Sequence, residues 1–139
     1  MSDNEFLIFV YGENEYCINT SFILEVKTSS DITDVPGNSD RILGMVDFRG
    51  EVFTVLNIAS ILEMPKSDED FFVVCKEDKN GNRNIIPCTS VIGTAKESNF
   101  DKSREKERLG AFLPKSVKDV HSYKNKLVIE LNLDTINKL

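Results

Sequence analysis

The chain has 139 residues, 40% hydrophobic and 29% charged, with a net charge of −6. One domain with its own apolar core accounts for such a chain without disulfides or metal. The acidic balance argues against nucleic-acid binding, which relies on Lys and Arg displacing counterions from phosphates. No run of about 18 apolar residues would span a membrane, and the polar start Met1-Ser2-Asp3-Asn4-Glu5 lacks the basic and apolar regions of an export signal, so a cytoplasmic protein is expected.

Phe6-Leu7-Ile8-Phe9-Val10-Tyr11 reads as a strand, Gly12 to Glu15 as a turn and Tyr16-Cys17-Ile18 as the returning strand of an opening hairpin. Ser21 is a candidate cap for a short helical turn, with Phe22, Ile23 and Val26 facing inward. Pro36-Gly37-Asn38 punctuates a loop. Ile42 to Ile58 then reads as a strand, an Arg49-Gly50 turn and a second strand, apolar residues filling both arms of a hairpin with a long cation at its bend. Ala59 to Leu62 leads to a break at Pro65. Lys66 to Asp70 is a polar bridge, with Asp68, Glu69 and Asp70 read as a solvated run. Phe71 to Cys75 is a strand, Asn80-Gly81 signals a tight turn, and Arg83 to Ile86 is the partner strand. Glu97 to Glu107 is polar and is expected to be a mobile loop. Tyr123 to Lys126 is a turn, Leu127 to Leu133 a strand, and Asp134 opens a short terminal helix.

A weak repeat runs through the chain. Thr20-Ser21-Phe22-Ile23 matches Thr89-Ser90-Val91-Ile92, and Val52 to Ile58 matches Leu127 to Leu133, with an Asn near the end of each strand. Two similar β units, each closing its sheet against exposed edges, are the simplest reading.

No catalytic constellation is visible. The only histidine, His121, reads as a surface or half-buried structural residue, since nothing in the sequence ties Asp119 or Ser122 to it as a triad. The three cysteines, Cys17, Cys75 and Cys88, are odd in number and widely spaced, without C-x-x-C, so neither a disulfide framework nor a zinc motif is expected. The glycines are isolated, so no phosphate loop is seen. No catalytic, metal or cofactor residues are assigned. What remains is binding: Arg49 at its bend can reach a partner through several directed hydrogen bonds, and Gly44 suggests a close backbone approach within a strand.

Several stretches in order resemble the CheW-like chemotaxis coupling proteins. Phe6 to Ile18 is similar to their opening hairpin, Ile23-Leu24-Glu25-Val26 to their Val-x-Glu-Ile segment, and Ile32-Thr33-Asp34-Val35-Pro36 to their Ile-Thr-x-Val-Pro loop. The most specific likeness is Gly44 to Ile58, against Gly-Val-x-Asn-Leu-Arg-Gly-x-Val-x-Pro-Val-x-Asp-Leu. Asp47-Phe48 stands here in place of Asn-Leu, and Thr54 in place of Pro. The resemblance implies a mainly β fold of two intertwined five-stranded SH3-like β-barrels with short helices, forming one domain over residues 5–139 after a flexible 1–4. It implies a non-enzymatic, cofactor-free adaptor. Such proteins couple the cytoplasmic hairpin of a chemoreceptor, held in the groove between the barrels, to the regulatory domain of a chemotaxis histidine kinase, in arrays on the inner face of the cell membrane. The implied partner-binding positions are Ile23, Glu25, Val35, Gly44, Arg49, Gly50 and Val52. A divergent CheW-like scaffold or decoy for another kinase system is the alternative, and a small β-barrel enzyme or ligand carrier is a third reading for which no pocket residues are nominated.

Overall fold

The computed structural model describes residues 3–35, 37, 40–101 and 114–137. Among the described residues, ten strands pair into two five-stranded sheets. The opening hairpin is β1 (Glu5–Tyr11) and β2 (Asn14–Asn19). A 3-10 turn at Thr20–Phe22 leads into β3 (Ile23–Thr28). β4 (Ile42–Phe48) and β5 (Glu51–Leu56) flank the Arg49-Gly50 bend, and α1 (Ile58–Ile61) follows. The second half repeats this order: β6 (Phe71–Cys75), β7 (Asn84–Cys88), β8 (Ser90–Lys96), β9 (Val117–Tyr123), β10 (Lys126–Leu131) and α2 (Leu133–Ile136).

Sheet I has the order β8-β1-β2-β10-β9 and sheet II the order β3-β6-β7-β5-β4. Exchanging each strand for its counterpart in the other half turns one order into the other. Each sheet therefore combines the hairpin of one half with the three later strands of the other. The exchange preserves pairing sense, because β2–β10 and β7–β5 are the two parallel contacts. It also preserves the irregularities: β8 bulges against β1 where β3 bulges against β6, and β9–β10 shift register where β4–β5 do.

The likeness between Val52–Ile58 and Leu127–Leu133 is thus architectural. β5 and β10 share one pattern of exposed and buried positions. Asn57 and Asn132 cap α1 and α2 alike, each side chain accepting the N–H three residues on, from Ser60 at 3.3 Å and Thr135 at 3.2 Å. The likeness between Thr20–Ile23 and Thr89–Ile92 is one residue out of structural register. Ile23 pairs with Cys75 as Val91 pairs with Phe9, so Leu24 and Ile92 are the equivalent bulge residues.

The strands of the two hairpins are buried on both faces, which is why Phe6–Tyr11 and Phe71–Cys75 are continuous apolar runs instead of alternating ones. One face looks into a central core shared by the sheets: Leu7, Phe9, Tyr11, Tyr16 and Ile18 from sheet I meet Val73, Cys75, Ile86 and Cys88 from sheet II, with both helices between them. The other faces build two smaller cores. Val46, Phe48, Phe53, Val55, Phe72, Val74 and Ile85 fill that of sheet II, and Phe6, Ile8, Cys17, Ala95 and Val128 that of sheet I. All three cysteines are buried and reduced, and burial pushes the thiols of Cys75 and Cys88 up to about 12.

Some local expectations differ from the structure. Phe22 and Val26 do not face inward; they are 45% and 37% exposed, Phe22 at the end of the 3-10 turn and Val26 on the uncovered side of the edge strand β3. The turn before β3 is capped by Asn19, which accepts the Ser21 N–H at 2.9 Å. Asn80-Gly81 lies within a loop spanning 76–83, not a two-residue turn, because the Asp78 carboxylate accepts the N–H groups of Asn80 and Asn82 and holds a wider bend. The polar loop expected from Glu97 opens with a 3-10 turn at Glu97–Asn99, and Phe100 stacks on His121; positions 102–113 lie outside the described residues.

The 66–70 bridge is not wholly solvated either. The Tyr11 hydroxyl donates to Glu69 at 3.2 Å and accepts the Ser67 N–H at 3.2 Å, while Thr89 donates to the Asp68 carbonyl at 2.8 Å. The bridge is thereby tied to the first hairpin and to the β7–β8 junction. Burial raises the Glu69 carboxyl above its usual range, against the opposing hydrogen bond from Tyr11.

Removing either cap, by Asn57→Ala or Asn132→Ala, is expected to cost about 1 kcal/mol in urea unfolding. A carboxyl raised by folding favours the folded state most when protonated, and that stabilisation is lost as pH rises through its folded value. Glu69→Gln should therefore gain in Tm relative to wild type as pH climbs from about 4.5 to neutrality, and show no further change below it. Melting curves across this range check the sign.

Candidate functional site

The bend of the β4–β5 hairpin is a two-residue turn, since Phe48 pairs with Glu51. Arg49 and Gly50 both have positive φ, 53° and 81°, the signature of the type I′ turn that suits twisted strands. Gly meets this at no steric cost, whereas Arg49 is held there by its surroundings. The Asp47 carboxylate accepts the Gly50 N–H at 3.0 Å, which closes the turn from the strand side. The Arg49 guanidinium lies 4.8 Å from the centroid of the Phe48 ring, a cation–π contact. It also donates a hydrogen bond to Glu25 Oε1 on β3. β3 and β4 are the two edges of sheet II, so this ion pair joins one edge to the hairpin tip of the other.

The pair is a surface one, with the two side chains 66% and 32% exposed. Such pairs contribute about 0–1 kcal/mol to stability. Its effect is positional: Phe48 and Glu25 restrict a side chain that would otherwise sample many rotamers, and restraint lowers the entropy lost when a partner is bound. Val52, one residue past the turn, is 58% exposed. Leu24, at the bulge beside Glu25 on β3, is 47% exposed.

The seven expected positions divide into three groups. Glu25, Arg49, Gly50 and Val52 belong to the tip or its contact and reach the surface. Ile23 and Val35 are half-buried, Ile23 against the central core and Val35 in the connection from β3 to β4. Gly44 is buried. A Cβ there would lie 2.3 Å from the Thr33 carbonyl oxygen and 2.6 Å from an Ile32 methyl. The reason is the bridge at the next residue, with Thr33 N–H donating to Met45 O at 2.9 Å and Met45 N–H to Thr33 O at 2.8 Å, which brings the two backbones together. None of the seven lines the largest described groove. That groove, of about 800 Å³, runs between sheet I and the end of α1, along Tyr16, Leu62, Met64, Val117, Leu127 and Ile129.

Sheet I carries a counterpart of the tip. Lys124-Asn125 forms its β9–β10 turn with φ of 51° and 65°, and Lys124 lies 5.2 Å from the centroid of the Tyr123 ring as Arg49 does over Phe48. Leu127 is exposed like Val52. The pin is absent: register places Gly93 opposite Ile8 where Glu25 lies opposite Val74.

A second cluster was hidden in the sequence. Asp119, His121 and Glu130 come together, one ligand-type atom of each lying within 4.8 Å of the others. The lack of metal-ligand spacing along the chain is thus not a lack in space, because register pairs Glu130 with Asp119 and sets His121 two residues further along the same face. His121 Nε2 is 2.8 Å from Glu130 Oε1. The legible signal was the repeat: these residues stand where the first half has Gly44, Val46 and Val55.

The CheW-like domain family matches residues 5–135. The chain belongs to the CheW-like domain family. A curated relative from Rhizobium etli, "Probable chemotaxis protein CheW", is 29% identical over 66 residues, 48% of this chain and 43% of that protein. The chain thus matches less than half the length of that relative. Among solved structures, the scaffolding protein TtCheW from Thermoanaerobacter tengcongensis superposes with a TM-score of 0.80 at 14% identity, over 99% of this chain and 94% of that one. That likeness establishes the fold: mainly β, two interleaved five-stranded sheets and short helices. No helix among the described residues of this CheW-like domain is long and apolar enough to cross a membrane.

Gly44→Ala is expected to destabilise the domain by at least about 2 kcal/mol, since a methyl cannot be fitted against the Thr33 backbone. Arg49→Ala should cost no more than about 1 kcal/mol. Urea denaturation of both variants tests whether Gly44 is an internal packing position and Arg49 a surface one.

Proposed function

We propose that this CheW-like domain is a non-enzymatic adaptor that couples chemoreceptor cytoplasmic hairpins to the regulatory domain of a chemotaxis histidine kinase, at receptor arrays on the inner face of the cell membrane. Family membership supports a scaffold or adaptor role in chemotaxis. The observation that carries the assignment of a surface is the Arg49 tip. An exposed guanidinium, restrained by Phe48 and Glu25 and flanked by the exposed Val52, has the make-up of an interaction hot spot. Arg49 and Glu25 set register and partner choice through charge, and Val52 adds apolar contact. Gly50 leaves the tip open, with nothing within 4 Å of the place a Cβ would take. Ile23, Val35 and Gly44 act from beneath, by fixing where β3 and β4 run.

The receptor hairpin is assigned to the groove of about 800 Å³ between sheet I and α1. Its apolar floor of Leu62, Val117, Leu127 and Ile129 suits the apolar face of a helix. Tip and groove share no residue among the seven, so the two partners can be held at once.

Pull-down with a chemotaxis kinase regulatory domain and, separately, a receptor cytoplasmic fragment from the same organism tests the reading. Wild type is expected to bind both. Arg49→Ala, folded as judged by a cooperative melting transition, should lose about tenfold or more in affinity for at least one of them, in line with the roughly 1.4 kcal/mol or more that a hot-spot Arg contributes. A well-folded sample that binds neither would overturn the adaptor role and leave a divergent scaffold for another kinase system. Restored chemotaxis in a strain lacking its own coupling protein would exclude that scaffold.

A further inference from the structure

The two sheets follow one plan, so their differences are informative. The small core of sheet II is built by Val46, Phe48, Phe53, Val55, Phe72, Val74 and Ile85, and Gly44, two residues before Val46 on β4, lies against Ile32 and the Thr33 backbone. In sheet I the matching places of Gly44, Val46 and Val55 are taken by Asp119, His121 and Glu130. The fold does not need these groups, since its other copy does without them. Glu130 is 7% exposed and the His121 side chain 12%, at an edge of the core formed by Phe6, Ile8, Cys17 and Val128. Glu130 is buried and Asp119 half-buried, and the charge of Glu130 is met by His121 at 2.8 Å and Lys118 at 3.7 Å; a divalent ion would serve both carboxylates and the imidazole at once.

We propose that Asp119, His121 and Glu130 form a binding site for a divalent transition-metal ion of zinc type in sheet I, independent of the Arg49 surface.

The geometry is close to what such an ion requires. Zinc takes imidazole nitrogen and carboxylate oxygen at about 2.0–2.2 Å, which sets neighbouring ligand atoms roughly 3.3 Å apart in a tetrahedron. The three ligand atoms already lie within 4.8 Å of one another, and small side-chain rotations on paired strands bring them to that spacing. His121 Nε2 and Glu130 Oε1, now 2.8 Å apart, would exchange their hydrogen bond for bonds to one ion, with the imidazole proton on Nδ1. Phe100 stacks on the imidazole with ring centroids 4.6 Å apart and holds its plane. Asp119 is oriented by the Val120 N–H at 2.7 Å. Lys118 approaches Glu130 Oε2 at 3.7 Å, but its side chain is 63% exposed and can swing into solvent. The fourth position is left for water. One imidazole with two carboxylates favours Zn²⁺ over Ca²⁺ or Mg²⁺, which prefer all-oxygen sets.

The test uses the full chain after treatment with a chelator. Zinc chloride titrated into wild type should show one saturable equivalent, and near-saturating metal should raise Tm by several degrees. His121→Ala and Asp119→Asn should each weaken binding at least tenfold and abolish that rise, whereas calcium chloride should bind no better than to those variants. His121 is the only histidine in the chain, so its imidazole NMR signals report on the site without assignment ambiguity. They should shift with Zn²⁺ in wild type, a readout that stands even where a variant fails to fold. Absence of saturable binding below about 1 mM, unshifted His121 signals, or binding that survives both substitutions would overturn the proposal, the last placing the ion elsewhere. Each of these results leaves the pull-down prediction for Arg49 unaffected.

Discussion

The exchange of hairpins between the two halves is the constraint on which the remainder of the molecule depends. β1 and β2 precede β3 in the chain but pair with β8 and β10, and β6 and β7 pair with β3 and β5. The chain therefore crosses between the sheets twice, from β2 to β3 and from β7 to β8, and the central core fills the space between them. That core takes Phe9 and Tyr16 from one sheet, Val73 and Ile86 from the other, and Ile58 and Leu133 from the caps of both. At roughly 25 cal/mol per Å² of apolar surface, burial of this layer is the main force holding the sheets together. The hydrogen bonds from Tyr11 and Thr89 to the 66–70 bridge add direction to a force that has none.

Against this background the Arg49 tip is an appendage with little structural weight. Its ion pair is exposed and its turn projects from the sheet edge, so the residues that a partner would meet are separable from those that keep the fold. Gly44 shows the opposite case. It lies only five positions before Arg49, yet its role is fixed by the Thr33 backbone pressing on it. A motif that reads as one unit in sequence thus contains both an internal packing position and a surface contact.

Much of the fold was legible because strand signals are local. Apolar runs, the Arg-Gly bend and the repeated Asn after β5 and β10 all follow from residue type and spacing. The pairing of strands was not legible, since nothing in Phe6–Tyr11 indicates that its neighbour will be Ser90–Lys96 and not Ile23–Thr28. The same gap explains the inward assignment of Phe22 and Val26, which rests on a helical turn packed against the core where the structure has a 3-10 turn followed by an edge strand. It also explains the missed Asp119–His121–Glu130 group, whose proximity is a matter of register between β9 and β10. The four-residue match at Thr20 and Thr89 illustrates how a bulge can displace a true repeat by one position.

The interleaving has a consequence for how the protein can fail. Neither half contains a complete sheet, so cutting the chain between β5 and β6 would leave two fragments that each lack a hairpin, not two small domains. Loss of either hairpin strips the middle from one sheet and exposes the apolar layer of both. Damage far from Arg49, at Cys17 or Val128, is for that reason communicated to the tip as loss of the whole scaffold instead of a local loosening. The two units share one fate although each has a core of its own.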